Sequence, residues 1–345
     1  MDLNNQTLDK WLSKPPKKSF KYKKRIDYAS RYNTLKQYLI KNVHKNVVLG
    51  ANLKEPTILL NDHGIEHIET VIERASEVVA ADKCDLNALE VYILLVCIQM
   101  HDVGNIFGRY KHELNSKEIF VEVENIIGFD ITEIKVIYDI AKSHGGKTEE
   151  GDKDKITLLK PIEKFIDNNV RTRLIASILR FADELADDKR RSNVQLIFED
   201  GFPIQSQVFH VYASCLDNVV ITHKNKTIEL HFKIPKKYVD KEFGKLNSYI
   251  LILDEIYNRV MKMHYERIYF MRFCSNYIDF QSITVFIDFY DKYLETFEPI
   301  SFDISEKGFP EENGKSIFDL CEKLIDRDGK NRDGKYIIDK YIKHG

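Results

Sequence analysis

The amino-acid sequence predicts a mainly α-helical protein, with a helical bundle, a small appended antiparallel β segment and further C-terminal helices. Two observations lead to this fold class. Apolar residues recur every three or four positions through the first half of the chain, which is the spacing of amphipathic helices. From about residue 194 the period changes to the two-residue alternation of strands, and a helical pattern returns from about 241 to 297.

The helices of the bundle can be placed one after another. The first begins at Ile65, and its apolar positions continue at helical spacing to Val79. The second, over about 86–101, is apolar nearly all round, which predicts a place at the centre of the bundle. Three further helices are predicted over 116–127, 131–144 and 171–186. The β segment is clearest from Ile228 to Ile234, where apolar and polar residues alternate.

These patterns divide the chain into four predicted sections. Residues 1–50 form a basic N-terminal arm with a lead-in helix, and 51–190 form the helical domain that carries the chemistry. A small β-rich segment covers 191–240, and a helical C-terminal extension covers 241–345. The aromatic-rich part of that extension, from Tyr249 to Phe297, would be either ordinary core or the interface of a homo-oligomer.

Composition narrows the classes of function. The 52 basic and 54 acidic side chains nearly cancel, to a formal charge of −2, so a site for a polyanion must be local. Five widely spaced cysteines without a C-x-x-C pair fit a reducing compartment. The first residues lack the pattern of a signal peptide, and the most apolar run is shorter than the roughly 20 residues of a membrane span. We therefore expect a cytoplasmic protein that does not bind membranes.

One local cluster of basic residues runs from Lys14 to Arg25, around two prolines and two aromatic residues. Such a segment could contact a phosphate backbone and stack on bases. A solvated, charged segment lying on its own domain is the commoner arrangement. Nucleic acid is therefore a second candidate partner, after a small nucleotide.

Metal-binding side chains fall on the inward faces of otherwise apolar helices. His67 shares a face with Val71 and Val78, and His63 lies one turn earlier. The pair His101 and Asp102 ends the most apolar helix. An unpaired polar group in such a place would cost several kcal/mol, so something must compensate it.

Two later helices add to this set, with His144 and Asp183 on their apolar faces. Each residue alone would be explained by hydrogen bonding in the core. Together, imidazole nitrogens and carboxylate oxygens suit a divalent metal such as manganese, iron, cobalt, nickel or zinc, whose charge would offset the burial of the aspartates.

In sequence order, these motifs resemble a known family. They are Asp-His-Gly-x-x-His at 62–67, Met-His-Asp-Val-Gly at 100–104, Ser-His-Gly-Gly at 143–146 and Arg-Phe-Ala-Asp-Glu-Leu at 180–185. They are similar to the H…HD…H…D signature of the HD superfamily of metal-dependent phosphohydrolases, and the following β-rich segment is similar to its subgroup with a C-terminal extension, HD-CE. The resemblance implies an HD-type bundle. It also implies hydrolysis of phosphate esters or phosphoanhydrides, as in nucleotidases, cyclic-nucleotide phosphodiesterases and nucleases.

The resemblance implies ligand roles for four residues: His67, His101, Asp102 and Asp183. His112 and His144 resemble the additional histidines of two-metal members, but Gly145 stands where many of those have a second consecutive histidine. We therefore favour one tightly held metal, with a second metal only when substrate is bound.

The hypothesis assigns three residues to catalysis: Asp102, His112 and His144. The two histidines would line the pocket and either protonate the leaving oxygen or hold phosphate as imidazolium. His63 is predicted as a further pocket residue.

In the predicted mechanism a metal-activated water attacks phosphorus, so no protein nucleophile is required. Basic residues near the motifs are candidates for holding the phosphate. They are Arg109, Lys111, Lys147, Arg180, Arg190 and Arg191.

Two alternatives to a nucleotide hydrolase stay open. A metal-dependent nuclease would use the basic arm to hold single-stranded DNA or RNA. A non-catalytic module would only sense a nucleotide, but this chain keeps all four core ligands, which favours retained catalysis.

Overall fold

The computed structural model describes residues 3, 6–14, 27–47, 64–128, 131–165, 168–187, 189–192, 202–306 and 316–342. The described residues are mainly helical, with a mixed β-sheet, which confirms the mainly α class. The chain divides into two compact units. The first comprises residues 1–56, 62–186 and 270–278, and the second comprises 57–61, 187–269 and 279–345.

Helices make up most of the first unit. They are α1 (Leu8–Ser13), α2 (Tyr28–Leu39), α3 (Ile65–Val79), α4 (Ala88–Met100), α5 (His112–Asn115), α6 (Lys117–Ile127), α7 (Ile131–Ala141) and α8 (Thr172–Glu184). A π-helical turn over Ile40–His44 follows α2, and 3₁₀ turns cover Val103–Phe107 and Ile156–Leu158. The short strands β1 (Glu163–Lys164) and β2 (Asn169–Val170) pair antiparallel. The five helices predicted for the bundle are all present, and α7 ends at Ala141, ahead of His144.

Helix α4 is the core of the first unit. Every side chain from Ala88 to Met100 is buried, and the helix packs against α1, α2, α3, α7 and α8. The stretch Ala88–Phe107 is long and apolar enough to span a membrane, with a mean hydropathy of 1.3, but 94% of that window is buried inside the protein. Such burial is typical of a core helix. The prediction of a central helix is confirmed.

The start of α4 is fixed by a buried carboxylate. The side chain of Asn87 accepts a hydrogen bond from the Glu90 nitrogen (3.0 Å), and the Glu90 carboxylate accepts one from the Asn87 nitrogen (3.1 Å). These reciprocal bonds form a capping box. Arg171, directly before α8, donates to the same carboxylate through Nε (2.8 Å) and Nη2 (2.6 Å). One carboxylate therefore caps α4 and links it to α8.

We expect Arg171→Ala to lower the free energy of unfolding by about 3–5 kcal/mol, because it leaves the Glu90 carboxylate, 1% exposed, without its cation. Urea unfolding would measure the loss. The control is Lys135→Ala, which removes the exposed ion pair with Asp139 and should cost less than about 1 kcal/mol. Equal losses in the two variants would show that the Glu90 pair does not stabilise the fold.

The second unit contains the remaining strands and helices. The strands are β3 (Leu216–Thr222), β4 (Thr227–Pro235), β5 (Glu242–Lys245), β6 (Ser248–Leu251), β7 (Ser282–Tyr290) and β8 (Thr296–Ser305). The helices are α9 (Gln207–Cys215), α10 (Lys236–Val239), α11 (Ile252–Cys274), α12 (Ile317–Leu320) and α13 (Gly334–Ile337), and the last residues of α11 belong to the first unit. Four strands form a sheet in the order β3-β4-β7-β8, and β5 and β6 form a separate hairpin.

The sheet corrects two predictions. It is mixed and not purely antiparallel, because β4 and β7 run parallel from Thr227↔Ser282 to Pro235↔Tyr290. The C-terminal section is also not simply helical, since it contains the strands β5 to β8. Buried and partly buried residues alternate along β7, which is a strand pattern that we interpreted as aromatic-rich helix. Its partner β4 precedes α11, so local sequence did not reveal the pairing.

The described residues of the first section include a buried helix. Leu8 and Trp11 on α1 are buried, and the Leu8 nitrogen donates to Ser76 Oγ on α3 (2.9 Å). The predicted nucleic-acid contact from Lys14 to Arg25 falls almost wholly on residues 15–26, which lie outside the described residues.

Candidate metal centre

Three helices of the first unit bring four predicted ligands together. His67 lies in the first turn of α3, His101 and Asp102 directly follow α4, and Asp183 lies in the last turn of α8. Helices α3, α4 and α8 pack on one another through their apolar faces. The two histidines are buried, and the Asp183 side chain is 29% exposed. The cluster is therefore a core site with a partly open side.

The two histidine nitrogens lie at ligand-like distances from both aspartates. His67 Nε2 lies 3.1 Å from Asp183 Oδ1 and 3.9 Å from Asp102 Oδ2. His101 Nε2 lies 3.7 Å from Asp183 Oδ1 and 3.6 Å from Asp102 Oδ2. Four ligands arranged tetrahedrally at about 2.1 Å from a metal lie about 3.4 Å from one another. The observed separations are close to that value.

Two more histidines lie on the other side of Asp102. Asp102 Oδ1 is 3.1 Å from His112 Nε2 and 3.6 Å from His144 Nε2, and the two Nε2 atoms are 3.3 Å apart. His101, Asp102 and His144 form a second group with the spacing of metal ligands, which shares His101 with the group of His67 and Asp183. The two oxygens of one carboxylate thus face different pairs of histidines.

Backbone carbonyls orient three of the imidazoles. Nδ1 of His101 lies 2.8 Å from the Ile98 oxygen, and Nδ1 of His144 lies 2.6 Å from the Ala141 oxygen. His112 Nδ1 makes the same contact with the Arg109 oxygen at 3.1 Å. A carbonyl only accepts hydrogen bonds, so each Nδ1 carries the hydrogen, and the neutral ring keeps its lone pair on Nε2. All three Nε2 atoms are therefore oriented as ligands or proton carriers.

The donor set fits a divalent transition metal. The Nε2 atom of His101 is buried and makes no hydrogen bond with any of the described residues. A buried imidazole nitrogen that makes no hydrogen bond is costly, and a metal bound by its lone pair would remove that cost. Two imidazoles with two carboxylates suit manganese, iron, cobalt, nickel or zinc. His67, His101, Asp102 and Asp183 would hold the ion.

The charges in the cluster are strongly coupled. Burial alone would lower the pKa of His101, but the carboxylates of Asp102 and Asp183 outweigh it and raise that pKa to about 9. Burial would raise the pKa of Asp183, yet the interactions with His101 and His67 hold it well below its usual range. Burial lowers the pKa of His144, whereas the contact with Asp102 raises that of His112. Asp183 is therefore ionised and attracts a cation.

The family model for HD-CE matches residues 57–258, which is more than half of the chain. The chain belongs to the HD-CE family. Comparison with curated proteins finds no match. The HD-CE match covers α3 to α8 and continues through β3 and β4 into α11, so it includes every residue of the cluster.

Two buried charged residues near His112 and His144 were not predicted to belong to the site. Lys155 Nζ donates to the Gly145 oxygen (2.7 Å) and lies 3.6 Å from Glu113 Oε1. Glu113 Oε2 lies 3.7 Å from His112 Nδ1. Glu113 and Lys155 thus connect the segments that carry His112 and His144. Glu113 could have been suspected from its position beside His112, but Lys155 follows a charged loop without periodicity.

The predicted phosphate-binding residues do not form one group as the predicted metal ligands do. Arg109, Lys111 and Lys147 are exposed. Arg180 is buried, and its Nη1 donates to the Lys153 oxygen (3.0 Å), so its guanidinium holds a loop. Their phosphate contacts stay predictions.

Three further residues were predicted to bind phosphate or to line the pocket: Arg190, Arg191 and His63. Arg190 and Arg191 belong to the second unit, and Arg190 is exposed. His63 lies outside the described residues.

Proposed function

We propose that this protein is a metal-dependent phosphohydrolase that cleaves a phosphate ester or phosphoanhydride of a nucleotide, as a nucleotidase or a cyclic-nucleotide phosphodiesterase does. The observation that carries the proposal is that the Nε2 atoms of His67 and His101 each lie within 3.9 Å of an oxygen of both Asp102 and Asp183. Membership of HD-CE supports it, and we infer that the first unit is an HD-type bundle. The cofactor would be one or two divalent transition metal ions in a cytoplasmic protein.

A bound divalent metal would lower the pKa of a water towards neutrality and stabilise charge on the phosphate oxygens. Side chains of the protein would position the substrate and transfer the proton to the leaving group. Asp102 would hold His112 and His144 through its second oxygen, at 3.1 and 3.6 Å. The His112 side chain is 15% exposed and that of His144 is 4% exposed, so His112 is the more accessible to a substrate. This pair would protonate the leaving oxygen or hold phosphate.

A small nucleotide is the substrate class that composition supports. The formal charge of −2 provides no general attraction for a polymeric polyanion. The basic segment that would hold a nucleic-acid strand lies mostly outside the described residues. Retention of all four core ligands supports catalysis over mere sensing of a nucleotide.

The deciding experiment combines elemental analysis of the purified protein with a phosphate-release screen. The screen covers nucleotides, cyclic nucleotides and single-stranded DNA and RNA. Metal-dependent cleavage of a nucleotide supports the proposal. Binding without cleavage would indicate a sensor. Cleavage of a polynucleotide that disappears when the lysines of residues 17–24 are replaced by alanine would indicate a nuclease.

We expect His112→Ala and His144→Ala to keep one bound metal and to lose turnover, because these histidines face the second oxygen of Asp102. A loss of about 10²–10⁴-fold is the range for removal of a general acid or base. Metal content and turnover would be measured in both variants, with the partly exposed His231→Ala as the control. Two metals in the wild type, falling to one in both variants, would contradict the one-metal assignment.

A further inference from the structure

A basic pocket lies at one end of the four-stranded sheet, within the second unit. Its volume is about 730 Å³. Small-molecule sites commonly measure roughly 300–1,000 Å³. Four lysines and two tyrosines line it: Lys233, Lys236, Lys237, Lys292, Tyr238 and Tyr290. No residue of this pocket belongs to the metal cluster.

The topology of the sheet explains why these lysines converge. Strands β4 and β7 are parallel, so their carboxyl ends meet at the same edge, with Pro235 opposite Tyr290. Beyond that edge β4 continues into α10, which begins with Lys236 and Lys237. Strand β7 continues into the turn at 291–295, which contains Lys292. The crevice outside the carboxyl ends of parallel strands is a common place for ligands in α/β sheets.

The positive charge of the pocket is poorly compensated. Lys233 pairs with Asp217 at 2.9 Å. Across the described ranges, Lys236, Lys237 and Lys292 form no ion pair, and their ammonium groups lie 4.8–5.6 Å from the centroids of aromatic rings. Three like charges around one concave surface repel one another, and an anion would offset that repulsion.

The one carboxylate among the residues that line the pocket accepts hydrogen bonds within the turn at 291–295. Asp291 Oδ1 accepts hydrogen bonds from the backbone nitrogens of Tyr293 (2.7 Å) and Glu295 (3.1 Å). The same turn exposes the side chains of Tyr293 and Leu294 by 71% and 78%. The pocket therefore combines three lysines that form no ion pair with the described residues with an apolar and aromatic rim.

We propose that this pocket binds a nucleoside polyphosphate, with Lys236, Lys237 and Lys292 on the phosphates and Tyr290 stacked on the base. Lysines bind phosphate as point charges, and aromatic rings stack on any base. The volume of about 730 Å³ is that of a small-molecule site, which favours a small ligand over a nucleic-acid strand or a membrane surface. The site is independent of the proposed hydrolysis, because the metal cluster is built from other residues.

The test is calorimetric titration with a non-hydrolysable ATP analogue. In the triple variant Lys236→Ala, Lys237→Ala, Lys292→Ala we expect one binding site to weaken at least about ten-fold, because each lost phosphate contact is charge-assisted. A control of equal charge change, Lys224→Ala, Lys323→Ala, Lys335→Ala, replaces exposed lysines outside the pocket and should bind as the wild type does. Phosphate release by the triple variant should stay unchanged, which separates this site from the proposed catalytic one.

The role of Tyr290 is tested with two substitutions. Tyr290→Phe should retain binding of the analogue, and Tyr290→Leu should weaken it, because only phenylalanine keeps a ring for stacking. Equal affinity of the wild type and the lysine triple variant for the analogue would overturn the proposal. So would competition by inorganic tripolyphosphate as strong as by the analogue. Binding of phosphatidylserine vesicles or an oligonucleotide through these lysines, without binding of the analogue, would also overturn it.

Discussion

The variant His101→Ala with Asp102→Ala is expected to lose its bound divalent metal and to release phosphate at least about a hundred-fold more slowly. Replacement of a residue that only supports a metal ligand already lowers metal affinity or activity by about 10–100-fold. His101 supplies a buried nitrogen that makes no hydrogen bond with the described residues, and Asp102 faces both pairs of histidines. Removing both leaves His67 and Asp183 as two ligands. Elemental analysis and calorimetric metal titration would measure the loss.

The same measurement needs controls for folding and for metal bound elsewhere. Asp183→Asn keeps the size of the side chain but removes a ligand charge, so it should lose metal affinity with little change in circular dichroism. His231→Ala with Asp288→Ala removes a histidine and an aspartate from the second unit and should retain the metal. A chelator should lower the melting temperature of the wild type, because a ligand that binds only the folded state stabilises it. Equal metal content in all these proteins would contradict the assigned centre.

Helical spacing indicated the inward positions of several residues of the cluster, and the resemblance to the HD superfamily implied which of them are ligands. His67 and Asp183 lie on the buried faces of α3 and α8, and the apolar helix α4 ends at His101. Burial of polar side chains within such regular patterns has a free-energy cost that only a partner or a ligand relieves. The sequence therefore predicted which side chains are brought together, whereas it did not predict their separations.

Other features depend on contacts that are distant in the sequence. The link from Glu113 through Lys155 to the Gly145 carbonyl joins two loops, and loops carry no periodic pattern. The parallel pairing of β7 with β4 was not predicted, because β4 precedes the whole of α11. The Lys236 pocket depends on that pairing, so only the structure reveals it.

Gly104→Ala is expected to reduce turnover by about a hundred-fold, which is the cost of a misplacement of roughly 1 Å at a reacting group. Gly104 lies in the 3₁₀ turn after the HD pair, and a Cβ there would lie 1.8 Å from the His112 oxygen and 2.9 Å from the Ser116 nitrogen. Both obstacles are backbone atoms, so no side-chain rotation relieves the overlap. The segment that carries His112 must therefore shift, which would disturb the contact of His112 with Asp102. Overpacking of this kind also costs about 1–3 kcal/mol of stability.

Gly145→Ala is the matched control for this prediction, because it adds the same methyl group beside His144. A Cβ at Gly145 meets no atom within 4 Å, so turnover and stability should stay near those of the wild type. Metal content would separate two effects in Gly104→Ala. Retained metal with lost turnover places the damage at His112, whose Nε2 lies 3.1 Å from Asp102 Oδ1. Equal turnover by Gly104→Ala and Gly145→Ala would contradict this prediction. It would show that the packing of Gly104 against the His112 backbone does not position that histidine.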